Sequence, residues 1–374
     1  MKKNYGNDRA FLKKHFEPIE LQDGPRRVLV APQLQGRVMT STAAGEEGRS
    51  FGWINYRLIE SGEHLPHCNN FGGEDRYWLG PEGGQYSIFF PEGTDFGFDD
   101  WQTPPAIDTE PWDVTASSER EACFVRDMRL TNTSGTRLEC RAQRKVMLLS
   151  PERMAEELGD AGLFAGGING VGFASENRLT NTGDATWTEE TGMLSVWILG
   201  QFVPSDRNTI IIPFRRAEGC AINDAYFGKI GDDRLKVEGN ILLFRGDGGK
   251  RGKIGVPPQM TVPVIGAYDA ENGVLTVVKF SFDPSVVRYV NSMWERQEKP
   301  FAGDTVNSYN DGPLEDGSIM GPFYELETSS PAAALAQGQS LVHTHATFHL
   351  TGSEAALDGV ARRLWGIGLT KMPW

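Results

Sequence analysis

Histidine is scarce in this chain, with six among 374 residues, and cysteine is scarcer, with four. Cys68, Cys123, Cys140 and Cys220 share no C-x-x-C spacing, which excludes a zinc ribbon, and so few in so long a chain cannot form a disulfide scaffold. Free thiols are the expectation. No run of about 18 apolar residues occurs, so a membrane-spanning helix is excluded. The N-terminal MKKNYGNDRAFLKKHF is basic but lacks the apolar stretch of a secretory signal. The chain therefore reads as soluble and cytoplasmic as it stands, or periplasmic or exported if a signal peptide has been removed. Positive charge is also in deficit: 37 Lys and Arg against 50 Asp and Glu leave a net −13. Such a balance repels phosphate backbones and anionic lipid, so neither nucleic acid nor a membrane surface is an expected partner. The short basic tract Lys250-Arg251-Gly252-Lys253 sits in a Gly-rich stretch and reads as a solvated loop. No nucleophile-elbow, P-loop or dinucleotide-binding pattern appears in a credible context, and GINGVG at 167–172 has neither the glycine spacing nor the following helix of the last.

What the chain does have is turn chemistry. It carries 44 Gly and 21 Pro, with Asp23-Gly24, Asn272-Gly273, Asp311-Gly312 and Asp316-Gly317 set between short Val, Ile, Phe and Leu runs. That is the composition of many short strands. Strands are expected over 27–31, 37–41, 53–59, 86–90, 122–132, 138–149, 170–181, 193–203, 209–214, 241–245, 274–282, 323–327 and 343–350. Helices are expected only over 8–15, 151–158, where Pro151 can start one, and 353–364. No Pro/Ser linker or charge block divides the chain, so the expected fold is all-β: one large antiparallel β-sandwich domain over 1–374, with a short N-terminal helix. Two connections, about 61–85 and 291–321, are long enough to be functional, and their aromatics argue against disorder.

The first of these, GEHLPHCNNFGGEDRYWLGPEGGQ, interleaves polar groups with aromatic ones. His64, His67, Asn70, Glu74, Arg76 and Glu82 can orient hydroxyl groups while Trp78 covers an apolar ring face, a mixture that suits a sugar. The bland alternative is a solvated surface loop. In the second connection Asn307 and Tyr309 can serve a hydroxyl ligand, whereas Asn310-Asp311-Gly312 reads as turn chemistry.

The run LVHTHATFHL at 341–350 gathers three of the six histidines. In a strand, His343, His345, Thr347 and His349 share one side and Val342, Thr344, Ala346, Phe348 and Leu350 the other. Shortly before it, FYELE places Glu325 and Glu327 on one side of a strand. Sequential strands usually neighbour one another, so a cluster of carboxylates and imidazoles is expected. Such a cluster admits general acid and base chemistry, a divalent metal held by His343, His345 and Glu325, or a purely structural role.

Several phrases together resemble the galactose mutarotase-like superfamily, the aldose 1-epimerase type of β-supersandwich, in an uncharacterised bacterial branch. They are LVAPQLQGRVMTST, GGEDRYWLGPEGGQYSIFF and YELETSSPAAALAQGQSLVHTHATFHL. The resemblance implies a carbohydrate ligand, no obligatory cofactor, and isomerase chemistry. In it a late Glu takes the anomeric proton and a His protonates the ring oxygen. Glu325 matches the base; the middle region GFASENRLTNTGDATWTEETGMLSVWILGQF lacks the histidine motif of the acid, leaving His64, His67, His343 or His345 to stand in. The resemblance thus implies a carbohydrate-binding, epimerase or mutarotase-like protein with Glu/His acid-base chemistry. The alternatives are a non-catalytic glycan-binding module and a metal-dependent sugar-modifying enzyme. Asn70, Glu74, Arg76, Trp78, Glu82, Asn307, Tyr309 and Glu327 are the expected ligand-binding residues.

Overall fold

The computed structural model describes residues 4–314 and 316–374. In chain order the strands are Ile19–Asp23 (β1), Arg26–Ala31 (β2), Arg37–Thr42 (β3), Arg76–Gly80 (β4), Asp113–Ser117 (β5), Glu121–Thr131 (β6), Arg137–Leu148 (β7), Asn169–Asn181 (β8) and Ser195–Phe202 (β9). There follow Asn208–Pro213 (β10), Leu235–Glu238 (β11), Ile241–Arg245 (β12), Gly252–Val256 (β13), Val264–Asp269 (β14), Val274–Phe280 (β15), Val306–Asn310 (β16), Tyr324–Ser329 (β17) and Ser340–Thr351 (β18). The α-helices are Tyr5–His15 (α1), Tyr56–Ser61 (α2), Pro151–Glu157 (α3) and Glu354–Trp365 (α4).

All strand pairs are antiparallel and fall into three sheets: β1-β2-β3, the ten-stranded β11-β12-β10-β14-β15-β18-β8-β7-β6-β5, and the five-stranded β13-β16-β17-β9-β4. Three of the turn pairs act as expected, but Asn310-Asp311-Gly312 is not a turn: Asn310 ends β16 and Gly312 lies outside the left-handed region. Gly24 and Gly273 take φ of 57° and 61°, which a residue with a Cβ resists, at the β1–β2 and β14–β15 turns.

The two larger sheets pack face to face as an all-β sandwich. Along the five-stranded sheet Tyr77 and Leu79 of β4, Val196 and Ile198 of β9, Leu326 of β17 and Ile254 of β13 turn one way. They meet Phe124, Val146, Phe173, Ile265 and Val278 of the ten-stranded sheet. The far side of that sheet is covered by α3 and α4, where Met154, Leu357, Val360 and Trp365 pack on Leu275, Val277, Phe348 and Leu350. Helix α4 is bounded by Ser353, whose hydroxyl accepts from Ala356 N–H, and by Gly366 in the left-handed region.

Two expected strands are absent. At 53–59 the Asn55 side chain accepts from Leu58 N–H and nucleates α2, which Gly62 stops; an Asn cap outweighs β-branched content here. Residues 87–90 are buried but form no ladder: Ser87 Oγ accepts from Phe89 N–H, while the Ser87 and Phe89 carbonyls accept from Thr133 and Gln102 N–H of two different loops. The two long connections conceal strands: β4 lies within 61–85 and β16 within 291–321. The basic tract is also not a loop throughout, since Gly252 and Lys253 open β13.

Candidate active site

Antiparallel register places residues paired across strands on the same side of a sheet. In the five-stranded sheet one row runs Lys253, Tyr309, Glu325, Gln201, and the next runs Gly255, Asn307, Glu327, Leu199, Arg76. A third pairs Trp197 with Trp78. The side opposite the sandwich core is therefore a polar floor edged with indoles. Arg76, Trp78, Asn307 and Tyr309, expected from the two long connections, reach it only because those connections each contribute a strand.

Glu325 is the centre of this floor. Its Oε1 accepts from Gln201 Nε2 at 2.9 Å and from Arg76 Nη2 at 3.3 Å, and Gln201 Nε2 also donates to Asn70 Oδ1 at 2.7 Å. The Arg76 guanidinium lies 4.1 Å from the centre of the Trp78 ring. Glu327 Oε2 accepts from Lys253 Nζ at 3.1 Å and from Trp197 Nε1 at 3.0 Å. Lys253 lies against the Trp197 and Tyr226 rings, at 4.8 and 5.5 Å. At the β13–β16 end, Tyr226 donates to Asp304 Oδ2 at 2.6 Å and accepts from Asn307 Nδ2 at 3.3 Å.

The floor is buried, and this governs its proton chemistry. Burial, reinforced by the charge of Glu327, pushes the Glu325 carboxyl up to about 8 despite Arg76 and Lys253. Burial also raises Glu82, whose carboxyl stands near Lys253 and Glu327 and accepts from Trp294. Asp304 is raised by burial to about 6, against the pull of the Tyr226 hydroxyl and Lys253. Lys253 is held above its ordinary value because Glu327, Glu82 and Glu325 outweigh its desolvation. Asn70, Glu325, Asn307 and Lys253 keep 6–8 % exposure. Among the described residues Asn70 Nδ2, Arg76 Nε, Gln201 Oε1 and Glu327 Oε1 are buried without a hydrogen-bond partner. Two donors and two acceptors match hydroxyl groups, which offer both.

The histidines are elsewhere, and the expected neighbouring of Glu325 with the histidine strand is overturned. β17 lies between β16 and β9 in the five-stranded sheet, and β18 between β15 and β8 in the ten-stranded one. The imidazoles of β18 do share a side, but it is the core side, facing the reverse of β17. Thr328 Oγ1 lies 2.9 Å from both His343 Nε2 and His345 Nδ1, and His343 Nδ1 lies 3.2 Å from Ser281 Oγ. Burial there pushes His343 down to about 3 and His345 to about 4. His343 and His345 are thus separated from Glu325 by the sheet itself, so the His343, His345, Glu325 metal set does not converge. No cluster of three or more His, Cys, Asp or Glu with metal-binding geometry occurs among the described residues.

Glu74 also points away from the floor, into the core, where Oε2 lies 2.7 Å from His349 Nε2 and 2.9 Å from Ser41 Oγ. His67 clips its loop, with Nδ1 2.6 Å from the Trp101 carbonyl, and His64 lies exposed. Sequence reasoning missed Trp197, Gln201, Lys253, Tyr226 and Asp304. The signal for two of them was present, since Trp197-Ile198-Leu199-Gly200-Gln201 places Trp197 and Gln201 on one side of a strand that was itself expected. For Lys253 the alternation Lys253-Ile254-Gly255-Val256 was hidden by the preceding Gly-rich basic tract.

No curated protein matches this chain in sequence. Residues 3–373 match the model of DUF6786, described as a family of unknown function. Solved structures share the fold. A galactose mutarotase-like protein from Lactobacillus casei is 10% identical with a TM-score of 0.51, over 89% of this chain and 100% of that one. A protein of Escherichia coli K12 provisionally called an aldose 1-epimerase is 12% identical, TM-score 0.51, over 90% and 99%. The Slr1438 protein of Synechocystis sp. PCC 6803 is 13% identical, TM-score 0.52, over 90% and 96%. The fold is therefore that of the galactose mutarotase-like proteins.

Proposed function

The chain belongs to the DUF6786 family, and from that premise and the polar floor we propose that it binds a carbohydrate and interconverts its anomers or epimers by carboxylate chemistry. The observation that carries the reading is Glu325: a buried carboxyl raised to about 8, held between Arg76 and Gln201 on a floor of unpartnered donors and acceptors. A base works best with a pKa near the working pH. Glu325 in its ionised form takes the proton of the anomeric hydroxyl, the bond from the anomeric carbon to the ring oxygen opens, and the freed oxygen receives a proton. That proton is assigned to Glu82, whose carboxyl burial raises above its ordinary value and which stands near Lys253 and Glu327. Rotation of the aldehyde and the reverse transfers close the ring on the other face, returning both protons. Arg76 and Lys253 hold the charges that develop, and Trp78 and Trp197 cover the ring's apolar faces.

The test is the change of optical rotation of freshly dissolved aldoses, with and without protein. Acceleration by the wild type that is lost in Glu325→Gln supports the reading; no acceleration with any aldose sinks the catalytic part. A second reading, a non-catalytic glycan-binding protein, is favoured by one observation: no imidazole reaches this floor among the described residues. Calorimetric binding of a glycan without turnover selects it.

A further inference from the structure

From the floor, aromatic rings climb outward at the β4 edge. Trp78 stands 5.2 Å from Phe89, Phe89 stacks on Trp101 at 6.3 Å, and Trp101 stacks on Phe98 at 6.1 Å, with His67 4.6 Å from Phe98. Trp78, Phe89 and Trp101 are buried, at 4%, 2% and 7% exposure, whereas Phe98 at the end of the series is 59% exposed. A core cluster has no need of that last ring, since its outer face covers nothing. The carboxylates Asp99 and Asp100 adjoin it, both exposed.

The two residues that follow Phe98, Asp99 and Asp100, line a hollow of about 1030 Å³. Phe89 lines it too, and Gln102, Thr131 and Thr182 supply hydroxyl and amide groups. Its size is at the upper end of what ligand sites fill. The arginines that border it are already matched: Arg126 by Glu110, Arg141 by Asp127 at 2.7 Å and Arg129 by Glu139 at 3.5 Å. With its arginines paired and Asp99 and Asp100 left over, the hollow is acidic and disfavours an anion, and what remains is hydrogen-bonding capacity beside an exposed ring.

We propose that the ligand is a glycan of several residues. Its reducing-end ring lies on the Glu325 floor, and the following rings leave past the β4 edge over Phe98 and into the hollow beside Asp99. This rests on the carbohydrate reading of the floor. The exposed ring supplies the stacking surface, the acidic pair accepts from hydroxyls, and the hollow holds the rest of the chain.

Titration calorimetry with malto-, cello- and galacto-oligosaccharides of one to five residues, on the full chain, tests it. Affinity should rise at least about tenfold from the monosaccharide to the trisaccharide in one series, the worth of another stacked and hydrogen-bonded ring. Phe98→Ala should abolish that gain while leaving monosaccharide binding unchanged, and the exposed Phe98 can be truncated without opening the core. Phe227, 44% exposed at the opposite edge, is the control, and Phe227→Ala should keep the gain. Equal affinity at every length overturns the proposal but leaves the floor a monosaccharide site. A gain lost in Phe227→Ala instead of Phe98→Ala overturns the direction of the chain. Binding of no sugar at any length removes both this proposal and the carbohydrate reading beneath it.

Discussion

Glu325 and Glu327 look out from β17 toward aromatic loops, while Tyr324, Leu326 and Thr328, one residue out of step, look in toward the ten-stranded sheet. The outward side holds a carboxyl raised to about 8 among unpartnered donors and acceptors. On the inward side are two imidazoles, lowered to about 3 and 4, that share one threonine hydroxyl. Burial acts on both and disfavours the charged form of each, so a carboxyl moves up and an imidazole down. What differs is what else is within reach. The outward side sets Glu325, Glu327, Arg76 and Lys253 against one another, whereas the inward side offers His343 and His345 the hydroxyls of Thr328 and Ser281. Titratable residues are therefore informative only together with the sheet that faces them.

The largest expected contrast is between chemistry and stability. Glu325→Gln should lower the rate of optical-rotation change by about 10²–10⁴-fold, the usual share of a general base, and move the urea midpoint little, because the amide keeps the Gln201 contact. His349→Ala should do the reverse. It leaves the Glu74 carboxylate buried without its imidazole at 2.7 Å, a change that costs about 3–5 kcal/mol in urea unfolding while sugar binding persists in the folded fraction. Equal loss of turnover in both variants would erase the distinction between the two sides.

A smaller effect is expected at Thr328→Val. Removing the hydroxyl shared by His343 and His345 should cost about 1–3 kcal/mol by leaving buried nitrogens unpaired, without changing sugar affinity. A variant that loses affinity but not stability would place the histidines at the ligand after all.

The subtlest contrast lies in pH. Folding moves the Glu325 carboxyl from its ordinary 4.5 to about 8, so the folded state binds the extra proton, and this contribution is whole below about 4.5 and lost as pH rises through 8. For His343 and His345 folding lowers 6.5 to about 3 and 4, so their contribution is whole above 6.5 and lost as pH falls through that lower range. Urea midpoints measured from pH 3 to 9 should show Glu325→Gln flattening the alkaline limb and His343→Gln the acid limb. The opposite assignment would refute the two environments. Turnover should climb with pH through about 8 as Glu325 ionises.

Much of the fold was legible. Alternation and turn pairs located most of the strands, the helices at 8–15, 151–158 and 353–364, and the sandwich class, because a half-buried strand writes its period of two into the chain. Short strands inside polar, Gly-rich stretches were not legible: β4 and β16 were read as loops, since their outward residues are Arg76, Trp78, Asn307 and Tyr309 rather than an ordinary polar face. Of the site, Glu325 and Glu327 were correctly placed on one side of a strand, and so were the histidines.

The sequence by itself determined which side chains of each strand travel together. Only the tertiary structure decided which sheet each strand joins and what covers its two sides. The physical reason is that a strand's period is local, set by the pleat of its own backbone, whereas its partners are set by backbone hydrogen bonds to residues distant in sequence: Glu325 pairs with Gln201 and Tyr309, and His345 with Ser175 and Phe280. Nothing in FYELE or LVHTHATFHL encodes that these two stretches, neighbours in the chain, end in opposite layers.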